Sequence, residues 1–145
     1  MKNALFTAGL ALCLAPAAAA QQLQLPQPSP LATVAQTVGV SKVTVEYSRP
    51  SLRGRKAYGQ LVPFGQIWRT GANLATVITL DQPATIGGVA VPAGKYSLFS
   101  IPGEAEWTLI LNKVTAQAGT DSYKQSEDVV RVVAKPIAIS PTVET

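Results

Sequence analysis

The chain has 145 residues with 12 Lys+Arg against 8 Asp+Glu, no His, one Cys and one Met. Cys13 and the initiator Met1 both fall in the first twenty residues. The rest of the chain therefore lacks the side chains for a Ser-His-Asp triad, a thiol nucleophile, a disulfide or a zinc site of the usual ligands, and no metal or cofactor is expected.

The N-terminus reads as an export signal. Lys2 gives a positive start, Ala4 to Leu14 is an apolar run, Pro16 breaks it, and Ala18-x-Ala20 supplies small residues for cleavage after Ala20. The run is too short for a transmembrane anchor, which needs about 20 apolar residues. Cys13 sits inside the apolar run behind Leu12, so a lipid attachment site is rejected. This segment, 1–20, predicts a periplasmic or secreted protein. Residues 21–30 (QQLQLPQPSP) carry no charge and read as an extended Pro/Gln-rich lead-in.

From Leu31 onward Gly and Pro recur too often for a helical protein. β-branched and aromatic runs predict strands at Ala32–Val38, Lys42–Ser48, Ala75–Leu80, Ala84–Ile86, Val89–Val91, Lys95–Ile101, Glu106–Asn112 and Asp128–Ala134. Val43, Val45 and Tyr47 alternate with Lys42, Thr44, Glu46 and Ser48, giving one apolar and one wet face. Gly87-Gly88 predicts a tight hairpin, and Pro102-Gly103-Glu104 a second. Thr120 to Glu127 reads as a loop or a single helical turn. The fold class expected is all-β: a two-sheet antiparallel β-sandwich of about eight short strands, jelly-roll or Ig-like, in preference to a closed barrel. One β domain spans 31–136, and 137–145 reads as a flexible tail.

Charge is concentrated between Lys42 and Arg69. Lys42, Arg49, Arg53, Arg55, Lys56 and Arg69 stand there against Glu46 alone. Pro50, Gly54, Gly59, Pro63, Gly65 and Gly71 punctuate the same stretch, so it reads as a long loop on a β scaffold, where binding sites tend to be built. A guanidinium clamps carboxylate or phosphate in two-pronged fashion. If the backbone around Gly54 is extended, Arg53 and Arg55 aim to one side. Trp68 adds a flat wall beside Arg69, and Asn73 an amide donor. Arg53, Arg55, Trp68, Arg69 and Asn73 are thus the candidate ligand-binding residues. For Arg49 and Lys56 the plainer reading is taken, that they pair with acids or lay their stems over the sheet. Trp107 and Tyr96, both in strands, are assigned to the core.

The segments VEYSRPSLRGRKAYGQLVPFGQIWRTGAN and IGGVAVPAGKYSLFSIPGEAEWTLILNK resemble a family of exported bacterial proteins known as domain of unknown function 2911. The resemblance covers about Ser29 to Lys135. It implies a signal peptide followed by one small β domain, and no established activity. It makes the WRTGAN block, Trp68 to Asn73, the expected functional centre. Ala118 stands where that family often has an aromatic residue, before Gly119.

The function expected is a non-enzymatic module binding a small anionic or polar ligand through the Arg-rich loop. Nucleic acid is a poor partner for so modest a positive excess on an exported protein. A hydrolase using carboxylates is the enzymatic alternative, and it requires two of Asp81, Glu106 and Asp128 to converge. A structural envelope component is a third reading, signalled by a long unpaired edge strand.

Overall fold

A computed structural model describes residues 25–145. The signal segment 1–20, its cleavage point and the start of the lead-in lie outside the described residues. Eight strands form: β1 (Leu31–Val38), β2 (Ser41–Ser48), β3 (Thr76–Leu80), β4 (Ala84–Ile86), β5 (Val89–Val91), β6 (Gly94–Ile101), β7 (Trp107–Asn112) and β8 (Asp128–Ala134). Each bound lies within one residue of the sequence expectation. Among the described residues the helical content is one 3-10 turn, Gln125–Glu127.

The strands make two antiparallel sheets. One has six strands in the order β1-β2-β3-β6-β7-β8, and the other is the β4–β5 hairpin. The large sheet is a meander in chain order, interrupted only where the hairpin leaves it between β3 and β6. It does not close into a barrel, since β1 and β8 are both edges.

Both faces of the central strands are covered, by different means. On β6, Tyr96 and Leu98 face one core with Leu80, Leu111 and Val130, and the β4–β5 hairpin lies over them through Ala84, Ile86 and Val91. Gly87 at the hairpin tip approaches β8 so closely that an added Cβ would stand 2.1 Å from Val132 Cγ1. Phe99 points to the opposite face and is fully buried with Ala75 and Ile110, against Ile67 and Tyr123 from the long loops. Burying a side chain of that size contributes about 1.5–3 kcal/mol, so Phe99 and Ile110 fix the loop-covered face.

The registers sort the connections. Ser48, Thr76, Ile101, Trp107 and Ala134 all sit at one end of the large sheet, because Leu98 pairs with Thr76, Ile101 with Thr108 and Trp107 with Ala134. The loop from Arg49 to Ala75, the turn from Pro102 to Glu106, the lead-in and the segment after Ala134 therefore gather at that end. β1 is the outer edge there, eight residues without a charge, and its Leu31, Val34 and Val38 are more than half exposed.

Candidate functional site

The loop from Arg49 to Ala75 has no regular strand, yet its backbone is tied down. Arg55 N donates to Leu52 O at 3.0 Å, Val62 N to Ala57 O at 2.9 Å, and Gly65 N to Pro102 O at 2.8 Å. Trp68 and Ser100 exchange two hydrogen bonds, at 2.7 and 2.8 Å, so Trp68 extends the sheet beside β6 beyond the start of β3. Arg53, Thr70 and Asn73 hold left-handed backbone, with φ of 51°, 52° and 56°. Such residues other than glycine are uncommon, and a β-branched Thr is the least expected of the three. Thr70 is held there by its hydroxyl on Ser100 Oγ (3.0 Å) and by Thr76 Oγ1 donating to its carbonyl at 2.6 Å.

The turn from Leu52 to Arg55 decides where two arginines go. Arg53 and Gly54 both have positive φ, 51° and 71°, and the Arg55 N–H closes the turn on Leu52 O. This is a tight reversal of the primed type. The extended backbone assumed for an aligned Arg53–Arg55 pair is absent, and the two side chains part. Arg53 joins Arg49 in lining an open hollow of about 380 Å³ with Ser51, Thr145 and the lead-in prolines Pro26, Pro28 and Pro30. Arg55 turns back on its own loop, Nε donating to Leu52 O (2.8 Å) and Nη2 to Ser51 O (3.0 Å). With Trp68 it borders a smaller neighbouring cavity of about 170 Å³.

The other candidates are placed apart from that hollow. Asn73 spends its amide on Ser29 O (3.3 Å) and Ser48 Oγ (3.4 Å), joining the lead-in to the end of β2. Trp68 Nε1 donates to Gly71 O at 3.1 Å. Arg69 is half-buried, and its Nε is the sole buried side-chain nitrogen or oxygen without a hydrogen-bond partner among the described residues. The hollow thus draws on Arg53 from the candidate set and on Arg49, for which sequence gave the plainer reading. Among the described residues the ion pair formed is Arg131 Nε to Asp128 Oδ2 at 3.6 Å, so none of these four loop arginines is neutralised by a carboxylate. No Asp or Glu lines the hollow.

Beside it lies an aromatic cluster that joins the candidate Trp68 to Trp107, expected in the core, and to Tyr58, which the sequence did not single out. Tyr58 packs edge-on to Trp107 (4.6 Å between centroids) and to Trp68 (6.1 Å). Trp107 is half-buried, and it borders an open cleft of about 330 Å³ with Tyr58, Leu109 and Ile137. Burial raises the Tyr58 hydroxyl above its ordinary pKa. Tyr96, by contrast, is a core residue whose hydroxyl donates to Pro92 O at 2.8 Å.

The segment after β8 crosses this cleft and returns to the arginine loop. Leu52 N donates to Glu144 O (3.0 Å), Arg53 N to Glu144 Oε1 (2.7 Å), and Arg49 Nη2 to Thr145 Oγ1 (2.9 Å). It carries no strand, and Ile137 and Ile139 remain 88% and 67% exposed.

The carboxylates named for hydrolysis do not share a cleft. Glu106 precedes β7 and Asp128 pairs with Asn112 at its far end, a strand's length or about 20 Å away. Asp81 accepts from Lys42 N at 2.7 Å, at the end of the sheet remote from Glu106. Asp128 belongs to a buried knot. Asn112 Nδ2 donates to Asp128 Oδ1 (2.9 Å) and Lys124 O (3.0 Å), Gln117 Nε2 to Asn112 Oδ1 (3.2 Å), and Tyr123 Oη to Asp128 Oδ2 (2.6 Å). Burial, then the hydrogen bond to Asp128 and the charge on Asp128, push the Tyr123 hydroxyl up to about 12, with Arg131 opposing. Among the described residues no group of three His, Cys, Asp or Glu side chains is placed to hold a metal.

A six-stranded antiparallel meander, lidded by one hairpin and bearing its long loops at one end, defines a small all-β domain with an open cationic hollow at the loop end. Residues 29–145 match the family described as Protein of unknown function (DUF2911), and the chain belongs to that family. No curated protein and no solved structure matches it. Among the described residues no helix is long and apolar enough to cross a membrane.

Proposed function

We propose that this is an exported binding module, without catalysis of its own, that takes a small anionic or polar ligand in the hollow between Arg49 and Arg53. One observation carries the reading: Arg49 and Arg53 line one open hollow of about 380 Å³ with no Asp or Glu among its lining residues, and neither guanidinium is paired with a carboxylate among the described residues. The turn adds to it, since the Arg53 N–H holds a carboxylate oxygen of Glu144 at 2.7 Å beside the Leu52 N–H, which holds the Glu144 carbonyl. A backbone N–H in a turn is thus already bonded to a carboxylate beside the hollow. Export rests on the N-terminal pattern of Lys2, the apolar run and Ala18-x-Ala20.

The test is calorimetric titration with inorganic phosphate at low salt. Saturable binding is expected, weakened at least about tenfold, or about 1.4 kcal/mol, when Arg49 and Arg53 are both changed to Ala. Arg131→Ala serves as the control that retains it, and raising the salt should weaken it, as screening requires. No saturable heat, or equal loss in the Arg131 variant, refutes the reading.

A second reading, assembly through a sheet edge, is favoured by β1, whose eight residues carry no charge or proline to discourage pairing. Sedimentation of the unaltered chain over a range of concentrations decides it. A monomer throughout removes assembly through β1.

A further inference from the structure

The way Glu144 is held says more about the ligand than the hollow alone. A carbonyl and a carboxylate oxygen of one residue are each met by a backbone donor, Leu52 N at 3.0 Å and Arg53 N at 2.7 Å. The residue before it, Val143, borders the adjoining cavity with Leu52, Leu61, Tyr58 and Trp68. The residue after it, Thr145, takes a hydrogen bond from Arg49 Nη2. Backbone, apolar side chain and carboxylate are thus read in sequence, as a groove reads an extended peptide.

The occupant is lightly held. Val143 is 57% exposed, Ile139 67% and Ile137 88%, so little apolar surface is buried in return for ordering the segment. Segments with few buried apolar contacts open at low free-energy cost. We propose that residues 143–145 are an internal stand-in, and that the groove between the Leu52–Arg55 turn and Tyr58 binds in trans an extended peptide of a partner protein, a β-branched apolar residue followed by Glu. The inference rests on the binding reading above and names the ligand class for the same arginine turn. The partner's peptide displaces the chain's own segment, which competes at the high effective concentration of a tethered ligand.

The experiment measures fluorescence anisotropy of a labelled ISPTVET peptide, the sequence of residues 139–145, against full-length chain and against the Glu144→Lys variant, in which the internal segment is repelled from the arginines. The peptide should bind the variant at least tenfold more tightly than the unaltered chain, and the same peptide carrying Glu144→Lys should bind neither. A peptide silent on both proteins while phosphate still binds at Arg49 and Arg53 overturns the inference and leaves the small-anion reading standing. Silence of both probes overturns both. Hydrogen exchange in the unaltered chain gives a check independent of the variant. The Leu52 and Arg53 amides should exchange at least tenfold faster than those of Trp68 and Ser100, and equal rates would show the segment to be a permanent part of the fold.

Discussion

Two long connections on this sheet treat polar groups in opposite ways. In the connection between β7 and β8, Asn112 and Gln117 are fully buried, and the Asn112 amide is satisfied by Lys124, Asp128, Val114 and Gln117. In the connection between β2 and β3, Arg49, Arg53 and Arg55 are exposed, no guanidinium among them is paired with a carboxylate, and the Nε of half-buried Arg69 has no partner among the described residues. The first loop is a fastener, because each side-chain donor it buries is answered within the protein. The second keeps its cations available while its backbone is braced against Pro102, Ser100 and Gln117. Rigid support with unspent charge is what a binding loop requires.

The contrast makes unequal demands on stability. Asn112→Ala should have the largest effect, since it orphans buried partners on both sides of the knot. We expect a loss of about 3 kcal/mol, read as a lower midpoint in urea unfolding. A loss below about 1 kcal/mol would show the knot to be no stronger than a surface contact. Smaller, and dependent on pH, is the contribution of Tyr123. Its folded pKa of about 12 lies above the ordinary value of 10.0, so folding disfavours the phenolate. The stability linked to this group is complete below pH 10 and is lost as pH rises toward 12. Tyr123→Phe should flatten the fall in unfolding free energy across that window, and an unchanged slope would separate Tyr123 from Asp128. The smallest effect belongs to the other loop. Removing the Arg53 side chain should leave stability within about 0.5 kcal/mol of the unaltered chain, and a larger loss would make that arginine structural.

Strands were legible because their signal is local. Val43, Val45 and Tyr47 alternate against polar neighbours, and Gly87-Gly88 and Pro102-Gly103 punctuate the hairpins. Strand order was not, since Gly87-Gly88 marks β4 and β5 as a hairpin but nothing in their sequence separates that hairpin from the large sheet; their place is set by packing over Val132. The Arg-rich loop was legible as a region and not as a constellation. Arg53 and Arg55 are two apart in sequence, but the left-handed pair Arg53-Gly54 turns them toward different hollows. Arg49 joins Arg53 there because the lead-in folds back, Arg49 N donating to Pro30 O at 2.9 Å. Tyr58, Trp107 and Glu144 are brought in by tertiary packing alone, and no spacing announces them.

The central claim is that Arg49 and Arg53 act together on one anion. It is tested most directly by following the Nε–Hε resonances of the arginines by NMR during phosphate titration at low salt. The account predicts that Arg49 and Arg53 shift along one saturable curve while Arg131, paired to Asp128, stays in place. Linear drift of all the arginines together, or stationary Arg49 and Arg53 signals, would contradict it.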